Sequence, residues 1–213
     1  MTPPFDPHCT ACPRLAEFLA QVRAQHPHYH AAPVAPFGDP GAWLLIVGLA
    51  PGMHGANRTG RPFTGDHAGI LLYRTLYRHG FASADSSSAR DDGLELYGCR
   101  ITNAVKCLPP QNKPETAEMR RCNTYLRDEL AGLPPQASVL ALGKVAHDAV
   151  LLALGLPPRS APFAHGARHE LADGRRLYDS YHCSRYNTQT RRLTDDMFDA
   201  VIAGIRADRM QHE

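Results

Sequence analysis

The stretch LLIVGLAPGMHGANRTGRPFTGD, residues 44–66, decides the fold of this chain. It opens as a short apolar run that is typical of a buried strand, and at Gly48 it changes into a long polar loop. A helical pattern resumes at Ala68. An open α/β sheet places its ligand site beyond the carboxyl end of such a strand. A plain surface connection is the alternative, but a site is favoured by the loop's polar and aromatic side chains: His54, Asn57, Arg58, Arg61, Phe63, Thr64 and Asp66.

Further strands and helices alternate along the rest of the chain. Residues 99–105 and 138–142 predict two more buried strands, and Asp173 with Gly174 predicts a hairpin turn. This alternation predicts an α/β fold with a mostly parallel sheet and helices on both faces. Helices are predicted for residues 15–22, 68–78 and 146–154. Two more are predicted, one that has Pro114 in its first turn and one that follows Thr194 as its cap.

Two segments between these elements predict loops. Residues 82–93 are rich in Ser, Ala and Asp and predict a flexible surface loop. Residues 107–114 contain three prolines, which exclude regular structure. The polar loops are therefore expected to connect the predicted strands and helices.

Length and charge restrict the class of protein. A chain of 213 residues suits a single domain, residues 1–213, with a substantial core. Its net charge of +2 says little about partners. No run reaches the length of a membrane span and the N-terminus lacks a secretory pattern, which predicts a soluble, cytoplasmic protein. A monomer is expected by default.

Four of the six cysteines have the spacing of metal ligands. Cys9 and Cys12 form a Cys-x2-Cys pair, and Cys107 and Cys122 follow far downstream, separated by fourteen residues. In a reducing cytoplasm such thiolates hold either zinc or an iron–sulfur cluster. Zinc sites more often pair two short knuckles, so the uneven spacing favours iron–sulfur. Four unrelated buried cysteines are the remaining alternative.

Three segments resemble the signature segments of a known enzyme family. GLAPGMHGANRTGRPFTGD (48–66), ITNAVKCLPP (101–110) and HCSRYNTQTRRLT (182–194) are similar to those of the type B, or family 5, uracil-DNA glycosylases, within the uracil-DNA glycosylase superfamily. The likeness covers nearly the whole chain in the expected order. One departure is Cys183, which stands where the superfamily commonly has proline after histidine, and it affects the expected geometry of that loop.

The resemblance implies a fold, a cofactor and a reaction. The fold is a three-layer α/β/α sandwich around a short, mostly parallel central sheet. The reaction is hydrolysis of the N-glycosidic bond of uracil in DNA, which leaves an abasic site. The implied cofactor is a [4Fe–4S] cluster, expected to be structural and held by Cys9, Cys12, Cys107 and Cys122.

Hydrolysis of an N-glycosidic bond passes through an oxocarbenium-like sugar, and the nucleotide must first be flipped out of the duplex. Phe63 is expected to stack on the base, although ordinary core packing is the alternative. Asn103 offers a donor and an acceptor to the base edge, although a turn or cap is equally open. His182 is expected to donate to the carbonyl of the departing base. The predicted pocket residues are Gly48, Leu49, Ala50, Phe63 and Asn103.

Leu49 stands where many relatives carry a polar or acidic residue, and it can neither accept a proton nor orient water. Asp66 is the remaining acid of the loop and the candidate for polarising water or steadying the cation. Its alternative role is to cap the following helix. An apolar Leu49 also suggests a pocket that accepts several bases, and type B enzymes are similar in accepting deaminated purines such as hypoxanthine; xanthine belongs to the same class.

Contacts with DNA are expected from the two polar loops. Tyr186 is expected to wedge into the gap that the flipped base leaves, whereas Arg191 and Arg192 taken singly are better read as solvated charge. The expected DNA-binding residues are Arg58, Arg61, Ser184, Arg185, Tyr186, Asn187, Thr188 and Gln189.

Two other functions remain open at this point. A non-catalytic nucleic-acid-binding module with a four-cysteine metal site is favoured by Leu49, because the usual polar group is missing. It is disfavoured by the richness of the first loop. A phosphate cradle at residues 48–52 ranks lower, because the Gly-Lys-Ser/Thr of a P-loop is absent from the sequence.

Overall fold

One six-stranded sheet organises the computed structural model, which describes residues 5–211. The ends of the predicted single domain, residues 1–4 and 212–213, lie outside this range. The strands are β1 (Phe37–Gly38), β2 (Leu44–Gly48), β3 (Cys99–Asn103), β4 (Ser138–Leu142), β5 (Arg168–Glu170) and β6 (Arg176–Ser180). Their order is β1-β3-β2-β4-β6-β5. The four inner strands are parallel and the two edge strands are antiparallel, so the predicted mostly parallel sheet is confirmed.

Four of the five predicted helices are confirmed with small shifts in their bounds. The helices are α1 (Pro13–Gln25), α2 (Ala56–Thr59), α3 (His67–Arg78), α4 (Thr116–Ala131), α5 (Lys144–Ala153), α6 (Arg185–Gln189) and α7 (Asp195–Met210). Thr194 caps α7 as predicted, because its side chain accepts a hydrogen bond from the Met197 N–H. None of the helices within residues 5–211 has the length and apolar character that a bilayer crossing requires.

The prediction that α4 starts with Pro114 in its first turn is wrong. The helix begins at Thr116, because Glu115 and Glu118 form a capping box at this end. The Glu118 carboxylate accepts a hydrogen bond from the Glu115 N–H at 2.7 Å. Proline therefore precedes the cap and keeps the incoming loop extended.

Alternate residues of the parallel strands bury opposite faces of the sheet. Leu44 and Ile46 pack on one face with side chains of α3 and α7. Leu45 and Val47 pack on the other face with side chains of α4 and α5. Because successive side chains of a strand point to opposite faces, a fully buried strand needs helices on both sides. The layers form the predicted α/β/α sandwich.

The parallel arrangement brings the carboxyl ends of four strands to one edge of the sheet. β2 lies between β3 and β4, so the chain turns to one side after β2 and later to the other. This reversal of direction is where open α/β sheets form a ligand crevice. Gly48 lies opposite Asn103 in the register of β2 and β3, and His182 follows the end of β6.

Arg61 ties the first polar loop to residues 82–93. Its side chain is buried and donates hydrogen bonds to Ser87 Oγ at 2.7 Å, Thr64 Oγ1 at 3.1 Å and the Asp92 carboxylate. Partial burial opposes ionisation of Asp92, but the hydrogen bonds from Arg61 and from the N–H groups of residues 88, 89 and 94 together outweigh burial and lower the pKa of Asp92 below its ordinary value. The predicted surface loop is thus anchored to the site loop.

A buried ion pair joins α5 to β6 just before the strand reaches its carboxyl end. His147 Nδ1 lies 2.7 Å from Asp179 Oδ1, and His147 Nε2 lies 2.8 Å from the Ala161 carbonyl oxygen. Both ring nitrogens thus face acceptors, which suits the doubly protonated imidazolium. Burial alone would lower the pKa of His147, but the hydrogen bond and charge of Asp179 outweigh burial and raise it. His169 lies on the other side, 3.4 Å from Asp179 Oδ2.

We expect Asp179→Asn to lower the free energy of unfolding by about 2–3 kcal/mol at acidic pH, because a buried imidazolium loses its counter-charge. Because the pKa of His147 is raised in the folded state, protonated His147 stabilises the fold fully at pH values below its ordinary pKa of 6.5. The stabilisation is lost as pH rises through the raised value. The difference between wild type and variant should therefore shrink with increasing pH, as measured by urea unfolding.

Glu170→Gln is the control, because Glu170 pairs with Arg168 at the surface, 3.0 Å away, and does not contribute to the pKa of His147. Exposed pairs of this kind contribute little, so the control should stay within about 0.5 kcal/mol at every pH. An Asp179→Asn penalty that is constant with pH would contradict the charged state assigned to His147.

Candidate active site

A cavity of about 450 Å³ opens at the carboxyl ends of the strands. It lies where the sequence predicted a site, and it joins residues from the first polar loop, β3, the Pro-rich loop and the segment after β6. Cavities of this size are typical of small-molecule sites. The lining residues are Leu49, Ala50, Gly52, Ala56, Phe63, Asp66, His67, Ala68, Asn103, Asn112, His182, Ser184 and Arg185.

The inner wall of the cavity depends on close packing around Gly48. A Cβ atom at this position would lie 2.5 Å from Asn103 Oδ1 and 2.7 Å from the Phe63 ring. Both distances are far below ordinary contact distances, so only glycine fits here. Asn103 itself is 3% exposed, and its side-chain amide makes no hydrogen bond with another residue in the described range 5–211. The amide is therefore available to a ligand in the cavity.

Phe63 presents an aromatic face beside His182. The two rings have centroids 5.7 Å apart and planes inclined by 30°. Phe63 has a φ of 53°, in the left-handed region that a bulky residue rarely adopts. Its carbonyl oxygen would lie 1.9 Å from a Cβ at Gly69, so glycine at that position allows the loop to lie against α3. The ring is therefore held by its surroundings.

Asp66 caps α3, one of the two roles predicted for it, and it also faces the cavity. Its Oδ1 accepts a hydrogen bond from the Gly69 N–H at 3.0 Å and caps α3, while the residue also lines the cavity. Burial raises the pKa of Asp66 above its ordinary value, although the hydrogen bonds from the Gly69 and Ala68 N–H groups and the nearby His67 act in the opposite direction. A half-buried carboxylate with a raised pKa in a cavity is a candidate general base.

His182 is half-buried and lines the same cavity. Burial lowers the pKa of His182 to about 4, so the ring is neutral at neutral pH and one nitrogen carries a proton. Its carbonyl oxygen accepts a hydrogen bond from Asn187 Nδ2 at 2.9 Å, which holds the loop. Gly143 packs close to the His182 Cβ. The substitution of the usual proline by Cys183 leaves a fully buried residue in this loop.

The arrangement combines four chemical capabilities in one cavity. Phe63 offers a stacking face, and Asn103 offers an amide with donor and acceptor. Asp66 offers a carboxylate, and His182 offers a neutral N–H donor. Such a set can bind a flat heterocycle, stabilise negative charge on it and position a water molecule.

His67 and Asn112 line the cavity, although the sequence did not predict them as site residues. His67 Nε2 lies 2.9 Å from Thr188 Oγ1, which links the start of α3 to α6. Asn112 lies in the Pro-rich loop at a φ of 57°. The sequence held one clue for His67, its position directly after Asp66, whereas nothing local indicated that Asn112 reaches the cavity.

The structure divides the predicted DNA-binding residues into exposed and internal groups. Arg61 is 3% exposed and fully occupied inside the protein, so the expectation that it contacts DNA is wrong. Arg58 is exposed, and its Nε donates to the His54 carbonyl oxygen at 2.7 Å. Tyr186 is 70% exposed on α6. The remaining predicted residues lie at the cavity or on the same short helix: Ser184, Arg185, Asn187, Thr188 and Gln189.

The four cysteines with ligand-like spacing line a second cavity, of about 250 Å³. It lies between α1, the Pro-rich loop and α4, and all four thiols are free. Lys106 and Arg121 also line it, and the Lys106 N–H lies 3.3 Å from Cys122 Sγ. Within residues 5–211, no three His, Cys, Asp or Glu side chains converge on a point that would hold one metal ion. The cysteines are Cys9, Cys12, Cys107 and Cys122.

Comparison with known proteins gives a consistent family assignment. Residues 35–206 match the model of the uracil DNA glycosylase superfamily. A type-5 uracil-DNA glycosylase of Thermus thermophilus is 48% identical over 199 residues, covering 91% of this chain and 90% of the relative. Those of Pyrobaculum aerophilum and Mycobacterium leprae are 42% and 41% identical, covering 94% and 91% of this chain and 89% and 88% of the relatives. The chain therefore belongs to the uracil-DNA glycosylase superfamily, alongside its type-5 members.

Proposed function

We propose that this protein hydrolyses the N-glycosidic bond of uracil in DNA and leaves an abasic site. The observation that carries the proposal is the gathering of Asp66, Asn103, Phe63 and His182 around one cavity of about 450 Å³. These are the side chains that such a reaction requires, in a chain similar to enzymes of this name. A non-catalytic binding module has no need of this combination, so that alternative is not favoured.

Recognition of the base is assigned to the inner part of the cavity. The flipped base stacks on Phe63, and its edge hydrogen-bonds to the unpaired amide of Asn103. Because Gly48 brings these two side chains together, the base contacts both at once. Gly48, Leu49 and Ala50 supply the backbone and apolar surface beside them.

His182 is assigned to the leaving group. As the glycosidic bond breaks, its electron pair moves onto the base, and negative charge develops on a carbonyl oxygen of the base. A neutral histidine N–H donates a hydrogen bond to that oxygen and stabilises the charge. The lowered pKa of about 4 keeps His182 in this neutral form above mildly acidic pH.

Asp66 is assigned two functions, activation of the attacking water and stabilisation of the charged sugar. Its carboxylate stabilises the positive charge of the oxocarbenium-like sugar and accepts a proton from the attacking water. Oδ1 is engaged by the Gly69 N–H, which leaves Oδ2 for this function. Since the pKa of Asp66 is raised, activity should decline with acidification at a higher pH than for an exposed aspartate.

DNA is the proposed partner, and its contacts come from the rim of the cavity. Arg58 and Arg185 are exposed and carry the positive charge that attracts phosphates. Tyr186, exposed on α6, is suited to enter the gap left by the flipped nucleotide. Polar side chains of the same segment add phosphate contacts: Ser184, Asn187, Thr188 and Gln189. A monomeric state and a cytoplasmic location stay predictions.

We further propose that the enzyme releases bases other than uracil. Leu49 lines the cavity and offers no polar group that would reject a particular base. A cavity of about 450 Å³ has room for a purine. Hypoxanthine and xanthine are therefore proposed as further substrates.

A [4Fe–4S] cluster is the proposed cofactor, and the cysteine cavity fits it. Four free thiols line a cavity of about 250 Å³, and their uneven spacing in the sequence, one Cys-x2-Cys pair and two distant cysteines, favours a cluster over a single zinc ion. Arg121 would balance part of its negative charge, and the backbone N–H of Lys106 would donate to the sulfur of Cys122. When bound, the cluster would join α1, the Pro-rich loop and α4, which is a structural contribution. The ligands would be Cys9, Cys12, Cys107 and Cys122.

Incubation with duplex and single-stranded oligonucleotides that carry one uracil tests the main proposal, because alkali breaks the strand at an abasic site. Wild type should produce breaks, and Asp66→Asn should slow the single-turnover rate about 10²- to 10³-fold. Asparagine caps a helix as well as aspartate, so the variant keeps α3 intact.

Thermal unfolding supplies the control for Asp66. Asp66→Asn should unfold near the wild-type midpoint, whereas Asp66→Ala should lose about 1 kcal/mol through the missing cap. A wild type that binds the duplex tightly and breaks no strand would sink the glycosylase proposal. Wild-type activity of Asp66→Asn would contradict the catalytic function assigned to Asp66.

The base range is tested with matched oligonucleotides that carry uracil, hypoxanthine or xanthine at one position. Wild type should release all three, with the purines within about 100-fold of uracil, because no polar group at Leu49 discriminates between them. Leu49→Asn should narrow the range, since an added amide must be paired by the base. Activity on uracil without any on hypoxanthine would contradict the broad pocket.

The cofactor is tested by elemental analysis of protein purified without oxygen. Iron and acid-labile sulfide should each approach four per chain, with broad visible absorbance and little zinc. Cys107→Ser should lose the cluster, whereas Cys99→Ala should keep it, because Cys99 is a buried core thiol in β3 that lies outside the cysteine cavity. Stoichiometric zinc without sulfide would overturn the assignment.

A further inference from the structure

A cluster of three rings lies beside the active-site cavity and has no function in the proposed mechanism. His54 sits in the first polar loop between Gly52 and Ala56, two residues that line the cavity. The Tyr29 hydroxyl lies 2.8 Å from His54 Nδ1, and the His26 ring stacks on Tyr29 with centroids 4.5 Å apart and planes inclined by 18°. Together, His26, Tyr29 and His54 form the histidine ledge.

The Tyr29–His54 pair presents a hydrogen-bond donor to solvent. His54 is exposed, and its Nε2 makes no hydrogen bond with another residue between 5 and 211. If the tyrosine hydroxyl donates to Nδ1, the imidazole proton is on Nε2 and faces away from the pair. If Nδ1 donates instead, the hydroxyl proton is available. Each arrangement leaves one N–H or O–H group for an acceptor outside the protein.

The side-chain pair is not needed to join its two segments. The His30 N–H donates to the Arg58 carbonyl oxygen at 3.0 Å, and the Ala31 N–H donates to that of Asn57 at 3.0 Å. Arg23 Nη2 donates to the Ala31 carbonyl oxygen at 2.7 Å and ties the same segment to α1. These contacts hold the segment against α2, so the ledge has a fixed position before any ligand binds, which lowers the entropic cost of binding.

Arg58 adds positive charge next to the ledge. It is exposed, and its Nε donates to the His54 carbonyl oxygen at 2.7 Å, so the guanidinium lies along the same turn. Residues 18–65 contain one acidic residue, Asp39. The Asp39 N–H donates to the Cys99 carbonyl oxygen at 3.0 Å, at the amino end of β3 and away from the cavity. The segments that carry the ledge therefore favour an anionic ligand.

The ledge lies on the β3 side of the cavity. Tyr29 packs against an apolar cluster that includes Val105 and Leu108, which follow β3. The exposed helix α6 follows β6 instead, and β2 and β4 separate β3 from β6 in the sheet. Neighbouring strands are about 4.8 Å apart, so β3 and β6 are roughly 14 Å apart. The ledge and α6 therefore flank the cavity on two sides.

We propose that the histidine ledge binds a phosphate of the DNA strand that carries the flipped nucleotide, on the side of the cavity away from α6. This inference rests on the proposed glycosylase function and extends its DNA interface to residues outside both polar loops. A phosphodiester offers oxygen acceptors and a negative charge, which match the outward donor of the pair and the guanidinium of Arg58. His54 lies next to the cavity that receives the nucleotide, so the nearest phosphates belong to the same strand.

The substitutions Tyr29→Phe and His54→Ala test the contact. Phenylalanine keeps the ring that stacks on His26 and removes only the hydroxyl, so the packing of the segment is preserved. Alanine removes the imidazole at an exposed position, where substitution costs the fold little. Tyr97→Phe is the matched control, because Tyr97 is 50% exposed and donates its hydroxyl to Glu95 at 3.2 Å, ahead of the amino end of β3.

We expect His54→Ala to raise the Kd for a duplex with a reduced abasic-site analogue about 5- to 20-fold, and Tyr29→Phe to raise it about 3- to 10-fold. The double variant should resemble His54→Ala, because both residues act through one donor pair. Tyr97→Phe should match wild type. The single-turnover rate at saturating enzyme should stay within about twofold of wild type for every variant, because the ledge touches no reacting atom.

Trimming of the DNA gives a readout that a purely structural role would leave unchanged. The strand that carries the abasic-site analogue is shortened one nucleotide at a time from either end. The effect of His54→Ala should disappear when one particular phosphate is removed, on one side of the analogue only, because the contact is with a single phosphate. The effect of Arg185→Ala should depend on the other side, because Arg185 lies on α6.

The binding measurements need no chemistry, so they test the ledge even if wild type breaks no strand; that outcome would defeat only the glycosylase proposal. A wild-type Kd for His54→Ala would overturn the inference. An equal loss of binding at every strand length would also overturn it, because the substitution would then act on the fold and not on one phosphate.

Discussion

The active site depends on the absence of a side chain at Gly48. The parallel register sets Gly48 beside Asn103, and the first polar loop returns to place the Phe63 ring against both. A Cβ atom would lie within 2.7 Å of each of these side chains, so any other residue would displace the amide, the ring or the strand. The stacking face and the hydrogen-bonding amide are therefore neighbours as a direct result of strand pairing. The packing of Asn103 and Phe63 against Gly48 thus belongs both to the sheet and to the site.

The loops around this contact are held by polar groups that do not face the cavity. Arg61 is buried and gathers the first polar loop onto Ser87 and its neighbours. His67 binds Thr188 and brings the third signature segment against the first. The paired residues are separated by 26 and 121 positions, so these contacts join segments that are far apart in the sequence. Preorganisation of this kind keeps catalytic groups in place before substrate arrives.

Local patterns in the sequence were sufficient for the inner strands, the β5–β6 hairpin and the main helices, but not for the two-residue edge strand β1. The apolar runs gave the strands because a fully buried strand needs a continuous apolar sequence, and the resemblance of the polar segments gave most of the site. Burial of Arg61 was missed, because an arginine in a polar loop appears exposed until its distant partners are known. The entry of Asn112 into the cavity was missed for the same reason. Segments as short as α2 and α6 contain too few residues to show a helical period.

The segment that follows β3 connects the active site to the cysteine cavity. Lys106 is 1% exposed, and its ammonium binds Thr102, the residue before Asn103, and lies 2.6 Å from Glu129 Oε1. Its backbone N–H reaches Cys122 Sγ at 3.3 Å. A buried lysine must be paired, so this arrangement resists displacement. Lys106 thus links the strand end that carries Asn103 to the thiols, and packing in the cysteine cavity supports the amide that is proposed to contact the base.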